Sequence, residues 1–126
     1  MTERQTVLIV EDDSAVRRMY RTALSFAGFD IIEAEDGLSA LRSLDQYPVD
    51  VAVLDLMLPT LSGLAVQQEI AAHAHTRNIQ VIIVTGSNMN LDHVDVSCVL
   101  RKPISPDRLI DAVRSCLANG ARGVAS

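Results

Sequence analysis

Four short apolar runs, Val7-Leu8-Ile9-Val10, Val51-Ala52-Val53-Leu54, Val81-Ile82-Ile83-Val84 and a weaker Cys98-Val99-Leu100, punctuate the chain without alternating polar and apolar residues. A strand with one face in water shows a period of two; a strand covered on both faces does not. The runs therefore predict a parallel sheet with helices on either side. A fifth run, Asp30-Ile31-Ile32-Glu33-Ala34, is more mixed, which suits an edge strand.

The segments between the runs carry a helical period. After Ser14, an expected N-cap, Val16, Met19, Tyr20, Ala23 and Ala27 trace one face, and Gly28 supplies a stop. Asp36 caps a second helix with Leu38, Leu41 and Leu44, and Gly63 to His73 forms a third. Ser105-Pro106 opens the last, with Leu109, Ile110, Val113 and Leu117 on its inner face. Strand and helix alternate from end to end, which predicts right-handed crossovers and a doubly wound α/β sheet. With 126 residues and no repeat or linker, the expectation is one domain over 1–126, with a core of 5–118 and a flexible tail of 119–126.

Composition removes several function classes. No apolar run approaches the roughly 20 residues that span a bilayer, so a soluble, cytoplasmic protein with no membrane partner is expected. A net charge of −5 with scattered arginines argues against direct nucleic-acid binding, which needs a clustered basic face. The two cysteines, Cys98 and Cys116, are too few for a disulfide framework, and no Cys/His cluster suggests zinc. Ten of the eleven basic side chains are arginine; Lys102 is the only lysine.

Ligands of open α/β sheets bind beyond the carboxyl ends of the strands. Glu11, Asp12 and Asp13 follow the first apolar run, Asp55 the next long one, Thr85, Gly86 and Ser87 the one after, and Lys102-Pro103 the last. Carboxylates converging there cannot all stay ionised alone; a proton is trapped or a cation binds. All-oxygen ligation without histidine or thiolate suits a hard ion such as Mg²⁺. A hydroxyl and an ammonium opposite it are what the oxygens of a transferred phosphoryl group need.

These motifs, Leu8-Ile9-Val10-Glu11-Asp12-Asp13, Asp55 to Gly63, Val84-Thr85-Gly86 and Lys102-Pro103, resemble those of the receiver domain of bacterial two-component response regulators, over roughly residues 5 to 118. The resemblance implies a chemotaxis-regulator-like, five-stranded, flavodoxin-like sheet of order 2-1-3-4-5. It implies phosphorylation of Asp55 by a sensor histidine kinase or histidine phosphotransfer protein, with the phosphorylated state controlling an output partner or downstream domain. Asp12, Asp55 and the backbone carbonyl of Met57 would ligate Mg²⁺, and Glu11 would act through water. Lys102 and Thr85 would hold phosphoryl oxygens, and Gly86 would keep access open. Such a module is no enzyme beyond its own phosphorylation and dephosphorylation.

Two positions depart from the family. The place three before the lysine is usually aromatic and here is Val99. Thr85 and Lys102 are 17 positions apart, shorter than the family pattern by roughly five residues, more than one helical turn. The fourth helix is therefore expected to be shortened or irregular. These departures keep open an interaction module that is never phosphorylated. A metal-dependent phosphohydrolase fits less well, because the place for its second acid holds Met57.

Overall fold

A computed structural model describes residues 4–125, with side chains described through Asn119. The elements alternate as β1 (Thr6–Val10), α1 (Ser14–Phe26), β2 (Asp30–Ala34), α2 (Gly37–Gln46), β3 (Val51–Asp55), α3 (Gly63–Ala72), β4 (Gln80–Thr85), β5 (Cys98–Arg101) and α4 (Pro106–Ala125). All five strands are parallel in the order β2-β1-β3-β4-β5, the doubly wound arrangement. The mixed strand β2 lies at one edge and the weak β5 at the other.

The absence of alternation in the strands has a direct cause. Val7 and Ile9 face a core layer shared with Leu24 of α1 and Leu109 and Val113 of α4. Their neighbours Leu8 and Val10 face the opposite layer, with Ala40 and Leu44 of α2 and Val66 and Ile70 of α3. Both sheet faces are dry, and each fully buried aliphatic side chain contributes about 2 kcal/mol.

Several local expectations change. The N-cap of α1 is Asp13, not Ser14: Asp13 is extended and its Oδ1 accepts the Ala15 and Val16 amides at 2.9 and 3.1 Å. Gly28 follows the helix at φ 104°, a conformation side chains avoid. Met19 and Leu38, although in phase with their helices, point outward. Helix α3 stops one residue before His73. The expected flexible tail falls mostly on residues 120–126, which lie outside the described side chains. Among the described residues, no helix is long and apolar enough to cross a membrane.

Among the described residues, no helix joins β4 to β5. Residues 86–97 cross the sheet as turns and irregular chain, with Leu91 buried in the second core layer and Val94 and Val96 packed against it. The buried Gln67 amide donates to the Asp95 carbonyl at 2.8 Å, and Ser97 N–H to the Val81 carbonyl at 2.8 Å, leading the chain back to the sheet.

Candidate functional site

Strand register places the polar groups on one rim. Val10 pairs with Leu54, Asp55 with Val84 and Thr85 with Arg101, so Glu11, Asp55, Thr85 and Lys102 end their strands at nearly one level. Beyond β1 the chain turns into α1, with the Glu11 amide donating to the Ala34 carbonyl at 3.1 Å. Beyond β3 it turns at Pro59, where the Thr60 backbone is left-handed (φ 67°) and the Thr60 hydroxyl oxygen accepts the Leu38 amide at 3.1 Å. Gly63 brings α3 back under Asp55; a Cβ there would lie 2.2 Å from the Asp55 carbonyl oxygen, so only glycine allows the approach.

Lys102 ties the rim together. Its Nζ donates to Glu11 Oε1 and Asp55 Oδ2, each at 3.0 Å. Both acids are nearly dry, at 2% and 7% exposure, so their charges need this ammonium. Burial pulls the Lys102 proton affinity down, but the hydrogen bonds to Glu11 and Asp55 outweigh it and hold the ammonium well above the ordinary lysine range. Burial, with the Asp55 charge beside it, pushes the Glu11 carboxyl above its usual value, against the Asp13 amide and Lys102. The remaining Glu11 oxygen accepts the Asp13 amide at 3.1 Å, and Asp55 Oδ1 accepts the Met57 amide at 3.1 Å.

Glu11, Asp12 and Asp55 each bring a carboxylate oxygen within 4.8 Å of the others'. Asp12 is exposed and Met57 is 75% exposed, which leaves the group open on one side. Three clustered carboxylates with an accessible flank and no soft donor fit a hard divalent cation such as Mg²⁺. Thr85 is wholly buried; its Oγ1 accepts the Ser87 amide at 2.9 Å, and its carbonyl accepts the Lys102 amide at 2.8 Å. A Cβ on Gly86 would meet no atom within 4 Å, so the chain itself does not demand glycine there. Val99 lies opposite Ile83 in β5, half-buried against the second core layer.

Some groups around the rim have no motif in the sequence. Arg17 donates to the Glu11 carbonyl at 2.7 Å and pairs with Glu33 at 3.3 Å, fixing the start of the acidic turn. Arg101, next to Lys102, donates to the Ser87 carbonyl and, at 3.0 Å, to the Met89 carbonyl. Only the position of Arg17, one turn into the helix that follows the acids, hinted at its role. His73 and His75 are exposed and bond to the Glu69 carbonyl and the Asp45 carboxylate, among residues of α2 and α3 and the chain beyond α3 rather than with the acids.

Comparison with known proteins agrees with this geometry. The response regulator receiver domain matches residues 7–114. The "Polar-differentiation response regulator DivK" of Brucella ovis is 30% identical over 120 residues, which cover 91% of this chain and 98% of that protein. The "Probable transcriptional regulator ycf27" of Guillardia theta is 33% identical over 121 residues, 90% of this chain but 46% of that protein; the chain spans about half the length of such relatives. A CheY-like receiver domain structure from Methanospirillum hungatei shares the fold, with a TM-score of 0.88 at 21% identity over 96% of this chain and 99% of that one. A match of this extent, carried by a parallel sheet with clustered acids and a lysine on its rim, places the chain in the response regulator receiver domain family of two-component signalling.

Proposed function

We propose that Asp55 accepts a phosphoryl group from the phosphohistidine of a sensor histidine kinase or a phosphotransfer protein, and that the phosphorylated state controls a partner. The observation that carries this is the sole lysine, bonded at 3.0 Å to carboxylates from two other strand ends. An Asp55 carboxylate oxygen attacks phosphorus in line; the new P–O bond forms as the P–N bond breaks, and the electron pair stays on the departing imidazole nitrogen. Lys102 is poised to move from the Asp55 carboxylate to a phosphoryl oxygen. The Thr85 hydroxyl, whose oxygen here accepts the Ser87 amide, can turn to donate its proton to another phosphoryl oxygen.

Asp12, Asp55 and the Met57 carbonyl would hold Mg²⁺, with Glu11 acting through water. When bound, the ion supplies positive charge to the phosphoryl oxygens. Gly86, with open space beside it, leaves Asp55 approachable from that side. Hydrolysis by water returns the carboxylate, so the chain works as a signalling module and turns over no other substrate.

The test is intact mass after incubation with Mg²⁺ and acetyl phosphate. The wild type gains one phosphate and Asp55→Asn gains none. No adduct on the wild type would favour the rival interaction module, for which Val99 and the missing helix between β4 and β5 speak. Turnover of a phosphoester would favour a hydrolase.

A further inference from the structure

Val99 stands where the resembled family usually has an aromatic residue, yet Thr85 is bonded to the irregular segment in another way. Its Oγ1 accepts the Ser87 amide at 2.9 Å. The Ser87 hydroxyl oxygen accepts the Met89 amide at 3.0 Å, and the carbonyls of Ser87 and Met89 are both held by the guanidinium of Arg101. Two residues further on, Leu91 is the one buried side chain of 86–97. Arg101 itself lies opposite Thr85 in the β4–β5 register and directly precedes Lys102. Among the described residues, the guanidinium has no acidic partner; its bonds go to these two carbonyls.

We infer that Arg101 is the positioning residue that couples Thr85 to the 87–97 segment, so that the state of Asp55 reaches that segment. The inference rests on the proposed phosphorylation of Asp55. When Thr85 turns its hydroxyl toward a phosphoryl oxygen, Oγ1 leaves the Ser87 amide, and that amide must find a new partner. The planar fork of Arg101 keeps residues 87–89 in one piece, so the displacement passes on to Leu91 and the chain beyond rather than dissipating at Gly86. Without the fork, Ser87 can move alone and residues 90–97 no longer sense Thr85. A two-state element biased from both ends is what such coupling requires.

The experiment compares wild type, Arg101→Gln and Arg101→Lys, each with and without beryllofluoride and Mg²⁺, and with acetyl phosphate adduct mass as a separate readout. Amide hydrogen exchange over 87–97 is measured in both states. In the wild type, loading changes exchange in this segment by about fivefold or more. In Arg101→Gln, the adduct forms to the same extent but the loading-dependent change falls below about twofold. Arg101→Lys, which keeps the charge and loses the fork, resembles the glutamine variant. A full loading-dependent change in Arg101→Gln, or none in a wild type that does carry phosphate, overturns the inference and leaves Asp55 as acceptor. Absence of any adduct in the wild type overturns both.

Discussion

The rim and the β4–β5 connection are neighbours held together by different means. At the rim, Glu11, Asp55 and Thr85 are nearly or wholly buried, each at or just beyond the end of a strand fixed by register on both sides. In 86–97, Leu91 alone is buried, and the chain is held by side chains reaching its backbone: Arg101 to Ser87 and Met89, and Gln67 to Asp95. A position set by a sheet moves only if the sheet does. A position set by a few bonds at the surface opens at little cost.

Truncating one leucine in each region offers the largest effect by which to break this comparison. Leu54 is fully buried in β3 directly before Asp55, and Leu91 is buried in the connection. Leu54→Ala should lower the urea unfolding free energy by about 3–4 kcal/mol, since a sheet packed on both faces cannot collapse into the cavity. Leu91→Ala should cost about 1 kcal/mol, because irregular chain can relax into the space. Equal losses would mean that the connection belongs to the cooperative core.

The charge balance at the rim gives the next effect. Lys102→Met removes the ammonium shared by two nearly dry carboxylates, one of them the proposed phosphoacceptor. In EDTA the variant should lose about 2 kcal/mol, less than a fully buried pair because the lysine is partly exposed. Mg²⁺ should then stabilise the variant more than the wild type, since lysine and cation neutralise the same oxygens. Equal stabilisation of both by Mg²⁺ would separate the metal site from Lys102.

The two regions also differed in how far they could be read from sequence. Glu11, Asp12, Asp55 and Lys102 were legible because each follows an apolar run, and parallel register carries strand ends to one level. The missing helix was legible as a spacing, since 17 positions between Thr85 and Lys102 leave little room for one. The network of Arg101 was not, because a guanidinium bonded to backbone carbonyls needs no particular residue type at the other end. Asp13 and Ser14 are both capping residues, and only backbone conformation distinguishes them. Met19 and Leu38 fit the helical period yet face outward, because the facing layer is filled by Tyr20, Leu24, Ala40 and Leu44.

The smallest expected effect lies in proton binding at the rim. Burial, reinforced by the Asp55 charge, holds the Glu11 carboxyl above its usual 4.5. As the pH falls, the folded chain takes up this proton before the unfolded chain does. Glu11 therefore favours folding fully below its unfolded value, and the benefit is lost as the pH rises through its folded value. Glu11→Gln keeps a neutral side chain at every pH, so wild-type minus variant stability isolates the group. In EDTA that difference should fall as the pH rises above about 4.5. A difference that rises with pH would mean that Lys102 and the Asp13 amide outweigh burial. The rim thus differs from the connection in charge as well as in packing: Glu11 and Asp55 share the Lys102 ammonium, while Arg101 and Gln67 hold the connection through its backbone carbonyls.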